Sequence, residues 1–390
     1  MKKIIAVALL MVSVSLYAQK PEGVASFELY GDHIIIPIVV DGSEPMSFIF
    51  DSGAGYTVID FDAAKAMKLN MDHKGDVAGA QGAIKAAAIK HNSIELGTMK
   101  LESDITIEAI DLNHLSMSIG RKIDGIIGYD LLHHHVARLN YDDMKVEIYK
   151  DDAYPTSGKK VGFKLQSAIP VVKGYVTLNN GERLDASFFV NTGAGTTMDF
   201  NTPFAKKNKV INKTGDHYSY LVKGVGNKET VHYEGRVEEL DLKFYSFSKV
   251  PVGISQTTGG IQAHKKVSGI LGNKLLSKFN ILFDYKNNVI YFEPNGMAEK
   301  TVPVNCSGLD VQMSSDMSKV LIHQVQENGP AADSGINVND ELVSINGKAT
   351  SDLSLIEIED MLKKPGTTAE LVVKGTSGEK TVKLELEELL

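Results

Sequence analysis

Phe48-Ile49-Phe50-Asp51-Ser52-Gly53-Ala54-Gly55 places an acid at the end of three apolar residues. The apolar run predicts a buried strand. Ser52 can bond locally, and Gly53 and Gly55 let the backbone turn sharply and approach another segment closely. A carboxylate on such a turn, at the edge of a core, is well placed for chemistry. The chain then repeats the pattern: residues 188–195 read Phe-Phe-Val-Asn191-Thr192-Gly193-Ala194-Gly195, with Asn where the first copy has Asp. Further on, Ile123-Asp124-Gly125-Ile126-Ile127-Gly128-Tyr129-Asp130-Leu131-Leu132 recurs as Val267-Ser268-Gly269-Ile270-Leu271-Gly272-Asn273-Lys274-Leu275-Leu276. The offset is 191 − 51 = 140 at the first motif and 269 − 125 = 144 at the second, so about four residues were inserted between them. The offset of 144 persists to Asn140-Tyr141 against Asp284-Tyr285. One lobe is written twice.

These four motifs resemble the pepsin-like and retropepsin-like aspartic peptidases, over roughly residues 25–295. The resemblance implies a mainly β fold, two-lobed and pepsin-like (a duplicated acid-protease β-barrel), with a cleft that hydrolyses peptide bonds. It makes Asp51 and Asn191 the catalytic pair. Ser52, Gly53, Thr192 and Gly193 become the supporting loops, their hydroxyls tying the loops together and their glycines letting them pack back to back. Two carboxylates a few ångströms apart cannot both ionise, so such a pair shares one proton: one member activates water and the other donates to the scissile carbonyl. Asn191 removes that shared proton. Asp51 should then titrate near an ordinary Asp, ~4, unless burial raises it. The Asn191 amide donates a hydrogen bond but transfers no proton, and losing one acid–base partner costs on the order of 10²–10⁴ in rate. The sequence therefore leaves three readings open: an aspartic-type endopeptidase with an atypical Asp/Asn pair, toward which the intact loops lean; a pseudopeptidase that binds extended peptides without cutting them; and an adaptor led by the C-terminal domain.

Met1-Lys2-Lys3 and the apolar run Ile4 to Leu16, before Leu16-Tyr17-Ala18, read as a signal peptide of residues 1–18 cut after Ala18; a short membrane anchor is the alternative. The expected protein is exported, periplasmic or secreted, with no membrane span after signal removal. Removing the two lysines takes the net charge from −8 to 39 − 49 = −10. A mildly acidic chain without basic runs argues against nucleic acid and anionic membranes as partners. The single cysteine, Cys306, allows no intrachain disulfide, so core burial must hold the fold. His133-His134-His135 suggests a metal tract, but consecutive side chains diverge on a helix or a strand, and neither a metal nor a cofactor is expected.

Between these landmarks, residues 24–150 and 160–296 are expected to be the lobes, separated by the polar turn cluster around 151–158. A short helix is expected from Phe61 to Met67, capped near Asp60. Gly79, Gln81 and Gly82 lie at a small-residue hairpin tip, which reads as the first-lobe flap over substrate or as an ordinary Gly-rich turn. After Pro294-Asn295-Gly296 the composition changes. Gly308-Leu309-Asp310-Val311, the run from Gly329-Pro330 through Gly335 to Ile345-Asn346-Gly347, and apolar spacing at Leu355, Ile358 and Leu362 resemble a bacterial PDZ domain over 304–390. Such a domain binds an extended peptide as an added strand and captures its terminal carboxylate with backbone N–H groups. The resemblance assigns Gly308 and Leu309 to the carboxylate loop, with protein C-termini or extended peptides as partners. A bracing β domain that binds nothing is the other reading.

Overall fold

The computed structural model describes residues 20–390 except 72, 80, 81, 98, 150–153 and 224–228. The proposed leader, residue Gln81 and residues 224–228 thus lie outside the described residues.

The apolar triplets of the two motifs become neighbouring strands. Met46–Phe50 runs parallel to Gly125–Ile127, which also pairs antiparallel with Val58–Asp60. The second half repeats this: Arg183–Val190 is parallel to Gly269–Leu271, which pairs with Met198–Phe200. Each half is an eight-stranded sheet of the same order, closed by one extra pairing, His33–Val40 with Gly82–Leu96 and Ile169–Thr177 with Glu229–Asp241. A six-stranded sheet joins them, each half giving three strands, with Val136–Asn140 antiparallel to Phe279–Asp284 at its centre. Arg138 crosses that seam, bonding Glu147 at 3.1 Å and Glu293 at 3.2 Å. The main buried core runs through both halves, including Phe48, Tyr141, Phe188 and Tyr285.

The helix after the first motif forms at Phe61–Ala66 because Asp60 caps it. Its Oδ1 accepts from Asp62 N–H at 3.0 Å and Ala63 N–H at 3.2 Å, and its Oδ2 from Leu112 N–H at 3.0 Å. Leu112 is fully buried, so Asp60→Ala would strand its amide as well as uncap the helix. The expected loss is about 2–3 kcal/mol, read as a lower urea midpoint with an unchanged slope.

The C-terminal region has its own core, from Cys306 to Leu386, and its own sheet. Ser354 and Glu357 form a capping box that starts the helix Leu355–Leu362. Leu309–Met313 is the edge strand of that sheet. This edge does not face open solvent: the first-half helix Asn113–Ile119 lies against it. The neighbouring strand also docks on the body, where Gln324 accepts from Leu221 N–H at 2.9 Å and donates to the Ser219 carbonyl at 3.0 Å.

Candidate active site

The two Gly-containing loops meet where the halves join. Ser52 and Thr192 are fully buried, and each hydroxyl makes two bonds across the junction. Ser52 Oγ donates to the Val190 carbonyl at 2.8 Å and accepts from Thr192 N–H at 3.1 Å. Thr192 Oγ1 donates to the Phe50 carbonyl at 3.0 Å and accepts from Ser52 N–H at 3.0 Å. This reciprocal grip fixes the residue before each hydroxyl, and those residues are Asp51 and Asn191. The glycines make the approach possible. A Cβ at Gly53 would overlap the Asn191 carboxamide, and one at Gly193 would overlap the Asp51 carboxylate.

Asp51 Oδ1 accepts from Gly53 N–H at 2.6 Å and from Gly193 N–H at 3.2 Å, so the second loop supports the first loop's acid. These bonds favour the anion, but burial outweighs them and pushes Asp51 up to about 6. Desolvation is thus the exception the sequence left open to an ordinary value near 4. Asn191 Oδ1 accepts from Gly193 N–H at 2.9 Å and Ala194 N–H at 3.0 Å. Two N–H donors on one atom require that atom to be the oxygen, so the Asn191 NH₂ is turned the other way and is available as a donor. His33, reaching over from the first half, sits against the Asn191 loop at Gly195. Burial is the largest influence on its imidazole and lowers its pKa, while Asp32 and the Gly193 carbonyl oppose that shift.

Gly79 and Gly82 pair across the hairpin formed by His73–Gly79 and Gly82–Leu96, whose second strand is anchored on Met99–Ile110. In the PDZ-like loop, Gly308 has φ +73° and Leu309 is buried in the core. The amides assigned there to a terminal carboxylate are already engaged. Asn305 Oδ1 accepts from Ser307 N–H at 3.0 Å and Gly308 N–H at 2.9 Å, and Ser307 Oγ accepts from Leu309 N–H at 3.1 Å. His133 stacks on Tyr129 with ring centroids 4.6 Å apart, and among the described residues no group of three His, Cys, Asp or Glu has metal-holding geometry.

Sequence reasoning passed over His33, Asn305 and, above all, Asp199. The signal for Asp199 was present: it interrupts an apolar strand at the place where the first half has Val58, since Val58 pairs with Ile126 as Asp199 pairs with Ile270.

A duplicated β body whose paired loops interlock through their hydroxyls and converge on one acid defines an aspartic-peptidase type of site. The comparisons agree: residues 36–131 match the family described as Aspartyl protease, and residues 297–374 match the PDZ domain. The chain therefore carries an aspartyl protease domain followed by a C-terminal PDZ domain. No curated protein matches the chain.

Proposed function

We propose that this chain is an exported aspartic-type endopeptidase in which Asp51 acts first as general base and then as general acid, with Asn191 as a hydrogen-bond donor to the substrate. The observation that carries the reading is the half-buried Asp51 carboxylate, held by N–H groups of both loops and facing an amide whose NH₂ is free to donate. The ionised carboxylate takes a proton from water as the water oxygen adds to the scissile carbonyl carbon. The Asn191 NH₂ donates to the carbonyl oxygen as negative charge develops there. Protonated Asp51 then passes its proton to the amide nitrogen, the C–N bond breaks, and an acid and an amine leave.

The pH dependence has a definite sign. Below about 6 Asp51 is protonated and no base is present, so kcat/KM should rise with pH through about 6 and level off above it. A pair sharing a proton would instead favour acid. Mass spectrometry of a diverse peptide pool, incubated between pH 3 and 8, checks both the activity and the profile. A pool left uncut across that range sinks the endopeptidase reading.

Asn191 favours a second reading, because its amide carries no transferable proton: the cleft and PDZ domain hold extended peptides without cutting them. It predicts peptide affinity unchanged in Asp51→Asn. An adaptor that captures protein C-termini would instead lose binding on amidation of the peptide's C-terminus. Export rests on the Met1 to Ala18 pattern and predicts a mature N-terminus at Gln19. Among the described residues no helix is long and apolar enough to cross a membrane.

A further inference from the structure

A cavity of about 300 Å³ opens beside the Asn191 loop, with Gly195 and Thr196 in its wall, and reaches from there to the PDZ edge strand and the helix Leu355–Leu362. Five acids border it: Asp32, Asp199, Glu234, Asp310 and Glu359. The cations beside them make their nearest contacts with other acids, while Lys274 also acts on Asp199 and Lys363 on Asp310 through space. Lys274 lies 3.8 Å from Asp32, Lys363 is 2.7 Å from Glu359, and His323 is 3.6 Å from Glu229. His33 is shifted toward its neutral form by burial. Among the described residues this leaves Asp199, Glu234 and Asp310 with no salt-bridge partner. Glu234 accepts the Tyr218 hydroxyl, and Asp310 accepts from Asn305 Nδ2 at 3.1 Å.

Asp199 is the least satisfied. It is 3% exposed; its Oδ2 takes a long bond from Gln262 at 3.3 Å, and its Oδ1 has no partner. A buried carboxylate oxygen without a donor is costly, and native structures keep few of them without a functional reason. Burial first, and Glu234 second, push Asp199 up to about 7. Gly253 lets the carboxylate lie close against the neighbouring strand: a Cβ there would overlap Asp199 Oδ1 and lie 2.6 Å from the Tyr220 hydroxyl. The fold does not call for an acid at this position, since the first half fills it with Val58.

We propose that this cavity receives a basic side chain, lysine or arginine, of an extended peptide bound in the cleft, with Asp199 and Asp310 as its counter-ions and the PDZ edge strand as one wall. The proposal deepens the peptide-cleft reading and rests on it. Gly195 lies two residues beyond Gly193, whose N–H reaches Asp51, a span of about 7 Å at most. The mouth of the cavity therefore lies within a few peptide positions of Asp51. Because Asn305 and Ser307 already fill the carboxylate loop, the recognised feature is an internal charge and not a free C-terminus.

The test uses N-acetylated, C-amidated, fluorescently labelled nonapeptides carrying lysine, norleucine or glutamate in turn at each interior position, titrated with the full chain at pH 8 by anisotropy. In at least one register, lysine should bind at least tenfold tighter than norleucine, with glutamate weakest. Asp199→Asn, shown to be folded by its melting curve, should bring the lysine-to-norleucine ratio within about twofold, and Asp310→Asn should lower it. Equal binding of lysine and norleucine in every register overturns the charge selection and leaves the peptide cleft standing. A ratio unmoved by Asp199→Asn overturns the assignment to that residue. Failure of every peptide either to bind or to be cut removes the cleft reading along with this one.

Discussion

Asp51→Asn is expected to yield a folded protein that cleaves nothing, while Asn191→Asp is expected to cut faster than wild type and to do so at lower pH. The first change removes the only group of the pair that can accept and return a proton, a loss on the order of 10²–10⁴ or more. The second restores two carboxylates at a distance where both cannot ionise, so one proton is shared and acid becomes the working range. Stability provides a control. The folded pKa of Asp51, about 6, lies above its ordinary value of 3.8, so the folded state holds the proton more tightly. Stability should therefore fall as pH rises from about 4 to about 6. At pH 8 the ionised carboxylate costs about 1–3 kcal/mol. Asp51→Asn removes that cost, so it should unfold at a higher urea midpoint than wild type at pH 8 while the two converge near pH 4. An inactive variant that also unfolds earlier at pH 8 would mean that the loss is structural.

Thr192→Val should be the most damaging substitution that leaves packing intact. The side chains have nearly the same shape, but the hydroxyl serves both the Phe50 carbonyl and the Ser52 N–H in a site closed to water. Two buried polar groups lose their partner at once, at about 1–3 kcal/mol each. A destabilisation of roughly 3–5 kcal/mol is expected in urea titration, together with loss of cleavage at temperatures where the chain still folds, because the grip sets the distance between Asp51 and Asn191. Thr192→Ser keeps the hydroxyl and should remain close to wild type. If the valine and serine variants behave alike, the grip is not what aligns the pair.

Much of this architecture was legible in the chain. Apolar triplets leading into Asp51-Ser52-Gly53 and Asn191-Thr192-Gly193 announced strands that stop at a tight loop, and their recurrence announced two equivalent halves. The short helix was readable from Asp60, and the PDZ helix from its apolar spacing. These features are local: strand and helix periods, turn chemistry and caps are set by residues within a few positions of one another. The resemblance also supplied the pairing of Ser52 with Thr192, which the hydrogen bonds show atom by atom.

The chemistry of the site was decided elsewhere. Sequence named Asp51 and left open whether burial would lift it from the ordinary value near 4; burial lifts it to about 6. Sequence named Asn191, but only the Gly193 and Ala194 amides fix which end of its side chain can donate. Gly308 and Leu309 were readable as a carboxylate loop, yet Asn305 and Ser307 occupy its amides. Asp199 went unread in the sequence; only the fold brings it to one cavity with Glu234 and Asp310, distant in the chain. Desolvation and electrostatics sum over every group that packs nearby, whatever its place in the chain. A single sequence therefore determines the strands, the loops and the duplication, while the burial and charge surroundings of its acids are settled only when the two halves and the PDZ domain come together.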